Sequence, residues 1–501
     1  MYAGVDGNPT TQGNAPAMKW SPRAGVAYVL TPATVLRGGY GMFWAPFNYP
    51  GVSTSASNYG QVGYTANTIL SQSRTSPVTL TNPFPSGVTQ PTGNTLGALT
   101  NLDSNISYVD QNRTAPRVQQ FSVDVQRELP GSMAVSIGYM GARTDHAGIG
   151  GSSDTAVNIN QLDPAYLALG AALNDPLPNP FLGNPNVPLS LSAPATLSRA
   201  RLLLPFPQYR QVNARQVTEG YSRYNAGVVE LTRRMRGGWG GRFSYTYSVL
   251  KDNYVGETNF YTAVSPGLPV NNYNYVSSLP ACGAGQQFTT ACYDPSAEYA
   301  NSVLDVPHRV ILAPIVELPF GTGRRWANSS KLADVLIGGW TVSSVINLQS
   351  GFPLNVQQPA DSRLSVGGTT TANRPNLVGG VDLATEGSYE DRLASADHAT
   401  ATWINPAAFS LAATGTFGNT PRTITGLRTP GQYNVDAVVM KNVSFGGSKV
   451  AQVKFEVLNM LNRPIARALQ GANTVGSSNF GQTSIQAGFM RITQVMVRFS
   501  F

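Results

Sequence analysis

Three observations in this 501-residue sequence predict an all-β fold, and within it an antiparallel transmembrane β-barrel. Strand-like runs alternate apolar and polar residues with a period of two. Their connectors alternate between short turns and long loops, and the last run ends in an aromatic residue on an apolar face.

The end of the chain shows the pattern most plainly. Ala451, Val453, Phe455 and Val457 share one face, against Gln452, Lys454 and Glu456 on the other. In the last run, Val495, Val497, Phe499 and Phe501 oppose Gln494, Met496, Arg498 and Ser500. An aromatic pair closing an apolar face fits the interfacial girdle of a membrane barrel. Half-buried strands of soluble sheets alternate in the same way, so the connectors have to separate the two classes.

Taken in order, residues 21–30 and 33–44 form a first hairpin around Thr31-Pro32, with Ala24, Val26 and Tyr28 on one face and Leu36, Tyr40 and Met42 on the matching one. A second hairpin spans 117–129 and 132–142, turning at Pro130-Gly131, a typical turn pair. A third spans 223–236 and 239–251 around Gly237-Gly238, and its second strand sets Phe243, Tyr245, Tyr247 and Val249 against Arg242, Ser244, Thr246 and Ser248. A fourth pair, 307–319 and 336–349, is joined by a linker of about sixteen residues. The fifth pair is 432–445 and 450–460, and the closing strand follows. Segments 45–116, 143–222, 252–306, 350–431 and 461–488 carry no sustained period and read as loops. Within the second of them, DPAYLALGAAL suggests a short helix, with Asp163 as N-cap and Pro164 in the first helical position.

Eleven strands result. Four of the five short connectors hold two to four residues, whereas the long ones run from about 28 to about 82. Long structureless loops count against a compact soluble domain, but short periplasmic turns with long outer loops are the rule in outer-membrane barrels. With the last strand descending to the periplasm, every long loop faces outside. Bacterial single-chain barrels use even strand counts, and an odd set with parallel-running edges leaves direct closure unresolved. The expectation is the C-terminal part of a larger barrel of about 22 strands, the size of plugged transporters.

Composition agrees. Charged residues make up only 12%, while 51 Gly, 35 Pro and 22 Tyr favour turns and strands. No apolar run reaches the length of a spanning helix. The net charge of +8 comes from scattered residues without interleaved aromatics, so no nucleic-acid partner is expected. The N-terminal residues lack a secretory signal pattern, which an exported barrel needs; residues 1–20 are therefore expected to be a truncated lead-in or loop, and 21–501 the barrel portion, with plug and signal peptide absent. Cys282 and Cys292, ten positions apart in a polar segment, suggest a loop disulfide in an oxidising compartment rather than a metal site.

Several stretches resemble one family. SPRAGVAYVL, TVLRGGYGMFW, QQFSVDVQRELPG, SIGYMGAR, DVPHRVILAPIVELPFGTGR, LIGGWTVSSVINLQSGFPLNV, NRPNLVGG, WINPAAF, TFGNTPR and KFEVLNMLNRP, in this order, are similar to the Oar-like TonB-dependent outer-membrane receptors, from about Ser21 to Phe501. The resemblance implies a barrel that takes up a bulky, here unidentified, ligand through a plugged lumen, with outer-membrane lipid around it. The TonB complex would act through a plug that this sequence does not contain. Phe501, with Phe499, matches the C-terminal aromatic signal that the barrel assembly machinery recognises. The runner-up function is an outer-membrane adhesion or scaffold protein acting through its long surface loops.

No catalytic motif is present: there is no GxSxG elbow, HExxH helix or phosphate-binding GxxxxGK. His146, His308 and His398 fall in separate segments without metal-ligand spacing, so neither metal nor cofactor is expected. Asp305 and His308 lie close together in DVPHR, where a structural hydrogen-bonding role is the better reading. The glycines around Arg37 resemble a phosphate loop only superficially, since no helix follows; in a strand they mark close packing. Arg242, Lys454, Glu456 and Arg498 face inward, and a generic polar lumen is preferred over a specific solute path.

Overall fold

A computed structural model describes residues 18–44, 87–109, 114–147, 156–160, 164–215, 218–253, 299–321, 323–327, 331–359, 374–387, 402–414, 418–445, 449–463, 473–482 and 489–501, with a few isolated positions between them. Eleven of its strands follow one another through a single antiparallel sheet. They are β1 (Arg23–Thr31), β2 (Thr34–Trp44), β3 (Arg117–Leu129), β4 (Met133–Ala147), β5 (Gly220–Arg236), β6 (Trp239–Asp252), β7 (His308–Glu317), β8 (Trp340–Gln349), β9 (Gln432–Ser444), β10 (Val450–Leu458) and β11 (Ile492–Ser500). Each pairs with its neighbour in sequence, and a two-residue strand, Ala300–Asn301, adds to β6. Among the described residues the sheet is open, with β1 and β11 as its edges.

Register sorts the side chains into two faces, because directly opposed residues of an antiparallel pair lie on the same side. One register row runs Tyr28, Leu36, Val125, Ile137, Val229, Tyr245, Val310, Leu348, Tyr433 across nine strands. The adjacent row, one residue away on each strand, runs Ala27, Arg37, Asp124, Gly138, Val228, Thr246, Arg309, Gln349, Gln432. On the last strands the apolar side continues as Val439, Phe455 and Val495, and the polar side as Lys454 with Met496 and Glu456 with Gln494. The alternation is looser in the middle, where Ile311, Val345 and Val438 are apolar on the polar face. Soluble surfaces rarely present so continuous an apolar belt, whereas a lipid-facing sheet requires one.

The hairpin turns follow from local chemistry. Gly237 and Gly238 have φ of 66° and 83°, the left-handed pair that a tight hairpin turn demands and that glycine adopts without steric cost. Gly141 has a different role. It sits opposite Phe121 with the ring folded over it, so a Cβ there would collide with the ring edge.

Two expectations need correction. The strand expected to begin at Leu336 begins at Trp340, because Lys331–Ile337 is helical. Gly339, at φ 67°, ends the helix and lets the chain re-enter the sheet. The segments read as structureless also fold. Asn105–Val109, Gln211–Arg215 and Ala156–Asn158 form a small sheet, with a parallel pair between the first two. Leu102, Val187, Leu191, Tyr209 and Val212 make a core beneath it. A larger core joins Leu354, Val356, Ile404, Phe409, Ile424, Leu427 and Phe480 from the segments after β8 and β10. A fully buried aliphatic side chain such as Leu354, Ile404 or Leu427 contributes ~1.5–3 kcal/mol, which is why long loops of this composition condense into caps. The short helix is present as a 3-10 segment, Pro164–Asn174, broken at Gly170. It packs through Leu167 and Leu173 with Leu162, just before it, against Ala200 and Leu204 within a cap, as its apolar character suggested; Asp163 lies outside the described residues.

Candidate ligand-facing surface and its caps

The polar face of the sheet carries charged side chains held by hydrogen bonds, some of them in ion pairs. Arg242 on β6 donates to Glu230 on β5 at 2.6 Å. On β10, Lys454 lies 3.2 Å from Glu456, which also accepts from Gln494 on β11. On β9, Asp436 accepts from the Asn434 side chain at 3.0 Å and from the Asn459 backbone N–H at 2.8 Å. Of these two ion pairs, only Arg242–Glu230 joins two strands; the Lys454–Glu456 pair lies within β10.

All folded caps lie at the long-loop end of the sheet, and buried charge pairs fasten one of them to the strands. Arg422, which is almost wholly buried, donates to the carboxylate and the backbone carbonyl of Asp252 at the end of β6. Arg428 donates to the Asp305 carboxylate at 2.5 Å and to its backbone carbonyl at 2.9 Å. The same carboxylate accepts the Leu250 backbone N–H at 2.7 Å. Asp305 is therefore structural, in line with the sequence reading of DVPHR. His308, three residues on, takes no part in that bond; its Nδ1 lies 2.9 Å from the Tyr245 hydroxyl and its ring packs beside Tyr245 and Tyr247. The two arginines were not singled out from sequence. The available signal was a pair of charges inside the otherwise apolar and hydroxyl-rich stretch TPRTITGLRTP.

A second polar knot joins the segment before β3 to the segment before β5. Asp103 accepts from Arg201 and from Arg210, each at 3.1 Å. Burial by itself would push the Asp103 carboxyl upward, but hydrogen bonds from Arg210 and Ser190 and the charges of Arg210 and Arg201 together outweigh it and hold the group below its ordinary value.

Near β7 to β9, at the same end of the sheet, lies a cleft of about 560 Å³, with Gln349 and Gln432 of the polar row at its edge. Val310 and Leu348 form its floor, and Trp403, Tyr433, Arg463 and His308 stand around it.

Phe499 lies on the apolar face of β11, opposite Ala451, and Phe501 ends the chain almost fully exposed. Cys282, Cys292 and His398 lie outside the described residues. His146 and His308 are on different strands, and among the described residues no three His, Cys, Asp or Glu side chains gather as a metal site. Arg37 and the glycines beside it lie within β2, where Gly38 meets Val26 across the strand pair.

Against known proteins, a family model described as "outer membrane beta barrel domain" matches residues 1–494. No curated protein sequence matches the chain significantly. Among solved structures, the siderophore receptor PiuA from Acinetobacter baumannii is similar at 10% identity and a TM-score of 0.34, over 95% of this chain and 35% of that one. The outer membrane transporter YddB from Escherichia coli gives 7% identity and a TM-score of 0.35, over 93% and 38%. The copper transporter OprC gives 9% and 0.36, over 96% and 39%. The chain thus spans little more than a third of the length of these structures. The family match extends over nearly the whole sequence, and it agrees with the eleven-stranded sheet and its continuous apolar belt. The chain belongs to the outer membrane β-barrel domain family and resides in the outer membrane.

Proposed function

We propose that these strands form the C-terminal barrel portion of a TonB-dependent outer-membrane transporter of the Oar-like group, which takes up a bulky ligand. The observation that carries this reading is the separation of the two faces. An apolar belt turns one side to lipid, while the other side presents hydrogen-bonded charges beneath folded caps. The ordered motifs from Ser21 to Phe501 support the family assignment at the finer level.

In this reading the polar face lines the solute path, and the caps built on Leu102, Leu354 and their neighbours form its outer mouth. The unpaired edges of β1 and β11 meet further strands, because lipid tolerates no open ladder. With eleven strands in antiparallel order, β1 and β11 run the same way, so an odd number of additional strands closes the ring antiparallel. A plug outside the eleven strands couples the barrel to the TonB complex. Phe499 and Phe501 serve as the signal read by the barrel assembly machinery, and Cys282 with Cys292 closes a disulfide in an outer loop.

The test uses the intact gene in its native host. Medium composition is followed by mass spectrometry for the wild type, a deletion strain and a strain without TonB. The expected result is a compound that disappears from the medium only when both the gene and TonB are present. Binding of surfaces or partners by the cells without any gene-dependent depletion would replace transport with adhesion or scaffolding through the caps.

A further inference from the structure

The cleft beside β7 to β9 lies against the apolar register row, with the polar row only at its edge. Its floor residues, Val310 and Leu348, belong to the register row that runs across the lipid-facing side, and Tyr433 continues the same row. It sits at the ends of these strands nearest the long loops: His308 begins β7, Gln349 ends β8 and Gln432 begins β9. By the rule for outer-membrane barrels that end is extracellular. The cleft therefore lies at the extracellular end of the strands, beside the lipid-facing row.

Its chemistry changes with height. The floor is aliphatic and continuous with the lipid belt. Above it the Arg463 guanidinium lies over the Tyr433 ring, 4.5 Å from the centroid. Trp403 leans in from the cap, its indole N–H bonded to the Arg428 carbonyl at 2.6 Å, and Arg428 is in turn held by Asp305. The cap residue is thus tied to the strands beneath by a chain of hydrogen bonds, and the wall is built rather than incidental. On the other side, the His308 ring is held against Tyr245 and Tyr247. An aliphatic floor, aromatic walls and one guanidinium at the rim match a molecule with acyl chains and an anionic head. A volume of about 560 Å³ lies in the range of small-ligand sites.

We propose that this cleft is a binding site for an anionic lipid of the outer leaflet, with an acyl chain on Val310 and Leu348 and the phosphate of the head at Arg463. The continuity of the floor with the lipid belt favours a membrane lipid over a free phosphate. The site rests on the membrane placement of the sheet and not on the transport reading.

The experiment uses the intact gene product, with the strands that complete its barrel, in nanodiscs of phosphatidylcholine doped with phosphatidylglycerol, read by native mass spectrometry of the lipids retained after detergent extraction. The wild type is expected to retain the anionic lipid preferentially. Arg463→Gln is expected to lower that preference about tenfold, the effect of losing one charge-assisted contact, while Arg463→Lys keeps most of it. Leu348→Trp, which fills the floor with an apolar group, should lower retention of both lipids. Arg325→Gln, at the short-turn end, serves as the control and should change nothing. Folding of each variant is checked by heat-modifiable gel mobility.

Unchanged preference in Arg463→Gln would overturn the proposal, as would unchanged retention in Leu348→Trp. Should Arg463→Gln fail to fold, an equal loss of preference in Arg463→Lys and Arg325→Gln would also count against it, since no specific site is then involved. Saturable competition by inorganic phosphate alone, without acyl chains, would identify a free anion as the occupant and overturn the lipid assignment.

Discussion

Asp305 and Arg428 stand 123 positions apart in the sequence and meet in a pair of hydrogen bonds that joins the entry to β7 with the end of the cap after β8. The Asp305 side chain is almost wholly buried and that of Arg428 about four-fifths so. Removing one partner leaves the other charge uncompensated, which at a fully buried pair costs ~3–5 kcal/mol; the partial exposure of Arg428 places this pair at the lower end. Arg428→Met is expected to release the cap while the strands stay paired. Limited proteolysis should then cut within residues 350–430 much faster than in the wild type, with heat-modifiable mobility retained. Equal protection of both proteins would show that the apolar core around Leu354 and Leu427 holds the cap unaided.

The Asp103 knot makes a pH-dependent prediction. Its carboxyl is held below its ordinary value by Arg210, Ser190 and Arg201 against the opposing effect of burial. A depressed folded value means that the contribution to stability is present above the ordinary carboxylate range and is lost as pH falls through the folded value. The protection factors of amides in residues 102–109 and 209–215, which correct for the slowing of intrinsic exchange in acid, should therefore fall on acidification below that range. In Asp103→Asn the same amides should exchange fast already at neutral pH and show a flatter profile.

Gly141 tests the lipid face. Gly141→Leu places a side chain where the Phe121 ring lies, a clash of the overpacking kind that costs ~1–3 kcal/mol. The urea midpoint of unfolding, followed by gel mobility, should drop in the single variant and recover in part when Phe121→Ala is added. Additive losses in the double variant would show that the ring and the glycine are not coupled.

Arg242→Gln offers a contrasting case. The Arg242 side chain is more than half exposed, and its bond to Glu230 is of the surface type, worth ~0–1 kcal/mol. Stability should be almost unchanged, while permeation of charged solutes through reconstituted protein should shift toward cations. Unchanged selectivity would remove this pair from the solute path.

Shortening the chain by Phe501 should lower the amount of folded protein in the outer membrane without lowering synthesis, measured by fractionation. Equal recovery would leave Phe501 without a part in assembly.

Strand positions were legible because they are a local matter. A period of two and a turn pair such as Gly237-Gly238 are both contained in a few consecutive residues, and ten of the eleven strands begin within a few residues of where the alternation places them. Strand β8 was misplaced at its start because KLADVLI is apolar in both readings, and only the break at Gly339 and the donation of Lys441 to the Asp334 and Gly338 carbonyls select the helix. The caps were not legible: Ile106 and Val212, or Leu354 and Phe480, are apolar residues in polar surroundings whose partners lie a hundred or more positions away. The same holds for Arg422 and Arg428. The sequence by itself determined an alternating, lipid-compatible sheet with its strand order and the sides of its loops, since periodicity and connector length are local. Only the tertiary structure decided that the long loops fold, which charges fasten them, and that a cleft lies beside the lipid-facing row, because each depends on contacts between segments far apart in the chain.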